Sequence, residues 1–124
     1  MQLRQVADCL GCDVLSGHDR LEREVDLCFA ADLMSDVLAF AEHGALLVTG
    51  LASAQAVHTA EIADMGGIVI VRGKRPADEV IAFAQRRGLP LLLTAHCMFD
   101  ACGLLFQRGL RSPSAGEPPV PPVG

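Results

Sequence analysis

The sequence predicts an α/β fold, a single compact domain in which helices flank a small, mainly parallel sheet. Three short apolar runs each lead into a turn of polar residues or glycine, and then into a segment of helical periodicity. The turns begin at Thr49, Arg72 and Thr94, so they are 23 and 22 residues apart, which leaves room for a strand and a crossover helix. This alternation is typical of a parallel sheet that is buried on both faces.

Composition limits the classes of function. The chain has 124 residues, enough for one domain, and 51% of them are hydrophobic. Its net charge is −5 with no basic run, and it has neither Trp nor Tyr, which argues against binding to nucleic acid or to an anionic membrane. No apolar run approaches the roughly 18 residues of a membrane span. Five cysteines, an odd number without a disulfide framework, favour a reducing cytoplasm.

The first quarter of the chain is expected to hold one helix and two strands. Apolar residues at helical spacing predict a helix over residues 2–10, and Gly11 follows at the place of a helix C-cap. Residues 12–15 form a short apolar strand pattern, and a turn signal separates them from a second strand at 25–30.

The next helix is predicted over residues 33–42, with Asp32 as its N-cap. Asp32 and Asp36 are four residues apart and share a helix face, so the pair could also hold a cation or exchange protons. Capping and attraction to the helix dipole explain both carboxylates without such a function, and we favour that interpretation.

The three strand–helix repeats follow. Ser53 is the expected N-cap of a helix that ends near Met65, and Pro76 fits the first position of a helix that ends at Arg87. A very apolar last helix is predicted over residues 97–107. The domain is therefore expected to span residues 1–110, and the proline-rich residues 111–124 are expected to form a flexible tail.

The ends of the three predicted parallel strands are the first place to look for a ligand, because open parallel sheets bind ligands beyond the carboxyl ends of their strands. Threonine hydroxyls there could donate hydrogen bonds, glycines allow a close backbone approach, and arginine could pair with an anion. The candidate ligand-binding residues are Thr49, Gly50, Arg72, Gly73, Thr94 and His96.

Catalytic and cofactor signals are weaker. Five residues separate Gly67 from Gly73, where a phosphate loop has four, and Lys74 is not followed by Ser or Thr. No dinucleotide fingerprint is present, so no cofactor is predicted. Cys9 and Cys12 form a single CxxC pair, which is half of a zinc site, and no metal site is predicted.

One enzymatic alternative stays open. His96 and Cys97 lie where the third strand meets the last helix, and a helix N-terminus lowers the pKa of a thiol. A cysteine nucleophile also needs a positioned base and an oxyanion hole. Because neighbours in sequence rarely have that geometry, we do not assign a catalytic residue.

Five segments have a characteristic order and spacing: residues 6–17, 31–38, 44–49, 68–76 and 88–94. Together they resemble the DRTGG domain family. The departures lie at the segments for which the family is named: residues 51–55 contain no Asp-Arg pair, and Arg72-Gly73 stands where Gly-Gly is expected, so only Gly73 carries over.

The resemblance implies a fold similar to the N-terminal domains of HPr kinase and of the MurE and MurF ligases. It also implies a regulatory or ligand-sensing module that is often dimeric and has no established catalysis. We therefore expect a non-catalytic homodimer that binds a small anionic or nucleotide-like ligand. The alternatives are a protein–protein interaction module linked to a hydrogenase or kinase system, and a cysteine-dependent enzyme that uses Cys97 and His96.

Overall fold

The computed structural model describes residues 1–113, in which a five-stranded sheet lies between two layers of helices. In chain order the elements are α1 (Leu3–Leu10), β1 (Asp13–Ser16), a short 3-10 helix (His18–Arg20), β2 (Cys28–Ala30), α2 (Met34–Phe40), β3 (Leu46–Thr49), α3 (Ala54–Ile62), β4 (Gly67–Ile70), α4 (Asp78–Arg86), β5 (Leu91–Leu93) and α5 (Met98–Gln107).

The sheet is mainly parallel, as the sequence predicts. Its strand order is β1-β5-β4-β3-β2. Strands β2 to β5 pair in parallel with their neighbours, and β1 pairs antiparallel with β5. The predicted single α/β domain is therefore confirmed.

Connectivity determines which helices share a face. The crossovers from β2 to β5 all step in the same direction across the sheet, so their helices pack on one side, as expected for connections of one hand. Helices α2, α3 and α4 accordingly share one hydrophobic cluster, which includes Val37, Val57 and Ala84. Helices α1 and α5 cover the other face, where Leu3 and Leu105 belong to the second cluster.

The three central strands are buried along their whole length, on both faces. In β3, Leu46 and Val48 join the cluster of α1 and α5, while Leu47 joins the cluster of α2, α3 and α4. A strand that is covered on both faces cannot alternate apolar with polar residues, which explains the continuous apolar runs in the sequence.

Two helix starts differ from the prediction. Helix α2 begins at Met34, and its N-cap is Leu33 rather than Asp32. The carboxylate of Asp32 binds donors at the end of β3 instead, as described below. Helix α4 begins at Asp78, two residues beyond Pro76, which is buried. The fixed φ of proline suits an extended residue as well as the first residue of a helix.

Ser53 does occupy the N-cap position of α3, as predicted, but its hydroxyl makes no capping hydrogen bond. Within residues 1–113, its Oγ atom is buried and has no hydrogen-bond partner.

The chain after α5 returns to the sheet edge. The backbone N–H of Cys28 donates to the carbonyl of Arg111 at 2.8 Å, and Arg111 forms an isolated parallel bridge with Leu27. The Arg111 guanidinium lies 3.9 Å from the centre of the Phe106 ring. The predicted flexible tail begins at this residue, and its larger part, residues 114–124, lies outside the described residues.

Two glycines in the left-handed region allow the energetic cost of backbone strain to be distinguished from that of a steric clash. Gly17 has φ +78, and a Cβ atom there would lie 2.5 Å from the Cα of Pro90, whereas Gly11 has φ +61 and open space around it. We predict that Gly11→Ala lowers the free energy of unfolding by about 1–2 kcal/mol through strain alone. Gly17→Ala should lower it by about 3 kcal/mol or more, because a backbone clash adds to the strain.

Urea denaturation of both variants measures the difference. Equal losses at the two positions would show that the contact between Gly17 and Pro90 does not restrict the turn.

Candidate functional site

The ends of β3, β4 and β5 lie side by side at one edge of the sheet. Thr49 pairs in register with Ile70, and Ile70 pairs with Leu93. The turns that follow these residues contain the six candidate positions, so the structure brings together segments that are separated by more than twenty residues in the sequence. The surface beyond this edge is hereafter called the carboxyl edge.

Backbone hydrogen bonds join the turns after β4 and β5. The N–H of Arg72 donates to the carbonyl of His96 at 2.8 Å, and the N–H of Gly73 donates to the carbonyl of Thr94 at 2.7 Å. These two bonds keep Arg72 next to His96. Both residues are exposed, so their side chains can face a ligand.

The two threonines have a different role from the one expected of exposed hydroxyls. Thr49 and Thr94 are both fully buried. The Thr94 hydroxyl donates to the carbonyl of Leu10 at 2.7 Å and accepts from the N–H of His96 at 3.3 Å. A ligand would have to displace these protein partners to reach the hydroxyl, so Thr94 supports the turn rather than lining its surface.

Thr49 repeats this arrangement at the end of β3. Its hydroxyl donates to Oδ1 of Asp32 at 3.1 Å and accepts from the N–H of Leu51 at 3.1 Å. At both strand ends, then, a threonine oxygen accepts from the backbone two residues further on and fixes the start of the turn.

Asp32, which the sequence predicts to be the N-cap of the following helix, lies at this edge. Oδ1 of Asp32 accepts hydrogen bonds from the Thr49 hydroxyl and, at 2.7 Å, from the N–H of Gly50. These two donors, a buried hydroxyl and a backbone N–H, take the place of the N–H groups of the first turn of α2 that an N-cap carboxylate would bind. Asp32 could have been assigned to this edge only if the pairing of β2 with β3 had been known.

Arg72 has an unusual backbone. Its φ is +64, and Gly73 follows with φ +63. A left-handed conformation costs a residue with a side chain about 1–2 kcal/mol, so glycine is the usual occupant of such a position. The strain falls on an exposed residue that carries a permanent positive charge.

The charge at the carboxyl edge changes sign across the sheet. Arg72, Lys74 and Arg75 are exposed after β4, whereas Asp32 is exposed after β2. Because β3 lies between these two strands, the opposite charges are separated by two strand spacings, or about 10 Å. An anionic group is favoured near β4 and β5, and hydrogen-bond donors are favoured near Asp32.

The thiols fall into two groups. Cys97 is exposed at the N-cap of α5, while the other four cysteines are half-buried. Burial, with smaller contributions from Asp13 and Cys9, raises the pKa of Cys12 to about 12. Burial, reinforced by Cys102, raises the pKa of Cys28 to about 12 as well. Such thiols stay protonated and unreactive near neutral pH.

The structure supplies little for the cysteine-enzyme alternative. Across residues 1–113, no hydrogen bond joins the His96 side chain to the thiol of Cys97, and no group of three His, Cys, Asp or Glu side chains is arranged to hold a metal ion. No helix in this part of the chain has the length and apolar character required to cross a membrane.

Comparisons with known proteins support a family assignment. A family model described as the DRTGG domain matches residues 5–107. The chain is also similar to the crystal structure of the CBS and DRTGG domains of the regulatory region of Clostridium perfringens pyrophosphatase, complexed with its activator diadenosine tetraphosphate. The TM-score is 0.72 with 18% identity, over 86% of this chain and 46% of that one. At this identity the likeness concerns the fold, and the chain spans less than half of the longer protein.

Removal of the Asp32 carboxylate should destabilise the edge. We predict that Asp32→Ala lowers the free energy of unfolding by about 1–3 kcal/mol, because the buried Thr49 hydroxyl loses its acceptor. Asp36→Ala is the matched control, since Asp36 lies in the first turn of α2, where loss of a helix-dipole contact costs about 0.5 kcal/mol. Chemical denaturation measures both, and equal effects would contradict the assigned role of Asp32.

The raised thiol pKa values predict loss of stability at alkaline pH. Unfolded thiols ionise near pH 9.0 and the folded Cys12 and Cys28 near 12, so the unfolded state releases more protons in this interval. The free energy of unfolding should therefore fall as pH rises from about 9 to 12. The chain has no tyrosine, and burial also raises the pKa of the Cys102 thiol, which adds to the same trend.

The control is the Cys12→Ala, Cys28→Ala double variant, whose urea midpoint should change less over the same pH interval. A double variant with the same pH dependence as the native chain would rule out these thiols as the cause.

Proposed function

The chain belongs to the DRTGG domain family, as its sequence pattern predicted, and from that premise we propose that it is a non-catalytic regulatory domain. In this proposal it binds a small anionic or nucleotide-like ligand at the carboxyl edge. The DRTGG domains of the similar structure lie in a regulatory region that was crystallised with a nucleotide activator, which supports a regulatory role of the same general kind.

The observation that carries the proposal is the left-handed backbone of Arg72. Glycine would occupy this position without strain, and the family pattern has glycine there, yet this chain has an arginine with φ +64. Backbone strain of this kind is concentrated at ligand-binding and active sites. An exposed arginine whose backbone is fixed at the end of a buried parallel strand is suited to bind a carboxylate or phosphate through two parallel hydrogen bonds.

The neighbouring groups fit the same ligand. His96 lies beside Arg72 through their shared backbone hydrogen bond, and Lys74 and Arg75 are exposed in the loop that follows. Among residues 1–113, a Cβ atom on Gly73 would meet only Ala95, at 3.9 Å, so a ligand can approach the backbone closely at this point.

The six candidate residues divide into two roles. Arg72, Gly73 and His96 are the proposed ligand contacts, since all three are exposed. Thr49 and Thr94 support the turns through hydrogen bonds of their buried hydroxyls. Gly50 connects the turn after β3 to Asp32 through its N–H. We further propose that the domain acts as a homodimer in a reducing cytoplasm, where its free thiols persist.

An interaction module is the second candidate function. It is favoured by exposed apolar side chains on α2, where Leu33, Leu38 and Phe40 are 61%, 52% and 65% exposed. The two candidates differ in a simple test. A chain that no nucleotide or other anion stabilises against heat, but that retains a protein partner in a pull-down, would support the second and contradict the first.

Replacement of Arg72 by glycine should separate stability from binding. We predict that Arg72→Gly raises the free energy of unfolding by about 0.5–1 kcal/mol. The substitution relieves the backbone strain, and the greater flexibility of the unfolded chain offsets part of this gain. The same change should weaken binding of diadenosine tetraphosphate or ATP by about tenfold or more, through loss of a charge-assisted hydrogen bond.

Calorimetric titration and urea denaturation measure the two effects. Arg86→Ala is the control, since Arg86 is an exposed arginine in the last turn of α4, at the opposite edge of the sheet, and its loss should leave affinity unchanged. An Arg72→Gly protein that binds both probes as tightly as the native chain would overturn the proposed site.

A further inference from the structure

An exposed apolar stripe runs along α5. Phe99 is 84% exposed and Phe106 is 59% exposed, although both belong to the most apolar helix of the domain. They lie four residues before and three residues after Gly103, so all three share the outer face of the helix. The Arg111 guanidinium covers one side of the Phe106 ring, 3.9 Å from its centre, and the remaining surface of the two rings forms an apolar patch of the kind that marks an interaction site.

The packing of residues 1–113 does not explain Gly103. It lies in the interior of α5, where glycine costs about 1 kcal/mol relative to alanine. A Cβ atom at this position would have no atom of residues 1–113 within 4 Å, and its φ is not in the left-handed region. Neither contacts within this part of the chain nor backbone conformation requires glycine. Small residues on a helix face allow a second helix to approach closely.

The pattern around Gly103 complements itself. Phe99 is four residues before it and Phe106 three after, while Asp100 is three before and Gln107 four after. If two copies of α5 cross antiparallel with their Gly103 residues at a two-fold axis, Phe99 of one copy meets Phe106 of the second. On the other flank, Asp100 meets Gln107 of the second copy.

The polar residues on the second flank, Asp100 and Gln107, are also electrostatically complementary between the two copies. The amide of Gln107 can donate to the Asp100 carboxylate of the second copy, and Arg108, the C-cap of α5, follows directly. Antiparallel pairing thus brings the acidic start of one helix alongside the basic end of the other, and it also pairs the helix dipoles favourably. A parallel arrangement would bring the two acidic helix starts to the same height and lose this pairing.

A shallow groove beside the stripe extends the surface. Its volume is about 370 Å³. It is lined by His96, Phe99, Asp100, Gly103, Leu104 and Gln107. We infer that this face of α5 is an isologous interface with a second copy of the chain, centred on Gly103, as closed two-fold dimers require. The inference rests on the proposed homodimer and names the surface that forms it.

His96 connects this interface to the carboxyl edge. It lines the groove and also accepts the backbone hydrogen bond of Arg72 through its carbonyl. An interface on α5 therefore lies next to the proposed ligand site, so binding at one can alter the other.

The test uses the full chain in a Cys97→Ser background, which removes the exposed native thiol. Gly103→Cys places a thiol at the proposed two-fold axis, and Ala82→Cys places one on the exposed side of α4, on the opposite face of the sheet. Mild oxidation with copper phenanthroline should join the Gly103→Cys protein into a covalent dimer and leave the Ala82→Cys protein monomeric in non-reducing gels.

Sedimentation supplies the second readout. The native chain should sediment as a dimer at micromolar concentration, and Gly103→Leu should raise the dimer dissociation constant by about tenfold or more, because the added side chain blocks close approach. Phe40→Ser, on exposed α2, should leave it unchanged.

The outcomes are distinct. A native chain that sediments as a monomer overturns both the homodimer and this interface. A dimer that Gly103→Leu does not weaken and that does not cross-link at position 103 overturns the interface alone, and dissociation by Phe40→Ser would assign the dimer to α2. Ligand affinity at Arg72 is measured separately by calorimetric titration, so failure of the interface and failure of the ligand site are distinguishable.

Discussion

Burial of the central strands on both faces is the constraint from which the rest of the structure follows. β3, β4 and β5 lie between α1 and α5 on one side and α2, α3 and α4 on the other, so none of their residues can be exposed along the strand. Polar groups can first appear where the strands end. Because the strands are parallel, these ends lie at one edge, and the capacity of the domain to bind a polar ligand is concentrated there.

Hydrogen bonds of two threonines fix the conformation of the turns at this edge. The hydroxyls of Thr49 and Thr94 each donate to a neighbouring segment and accept from the backbone two residues later. The turns are thereby fixed from the buried side, and the exposed side is left to Arg72 and His96. A rigid support is what a strained residue needs, since a left-handed arginine persists only where its surroundings determine the backbone.

Much of the fold could be predicted from the sequence, and part of the site could not. Continuous apolar runs at regular spacing depend only on burial, so strand–helix order, the parallel sheet and the family resemblance were all accessible. Asp32 was misassigned because a carboxylate before a helix caps it in most sequences, and only the pairing of β2 with β3 brings Thr49 and Gly50 within its reach. The exposure of Phe99 could not be predicted either, because the spacing of apolar residues in this helix does not reveal which face of α5 meets the sheet.

Titration of the isotopically labelled chain with diadenosine tetraphosphate, followed by backbone amide NMR, tests whether a ligand binds at the carboxyl edge. We predict the largest chemical-shift changes at Arg72, Gly73 and His96, with smaller changes at Gly50. Shift changes confined to the opposite edge, around Gly17 and Gly88, or no change at any ligand concentration, would contradict it.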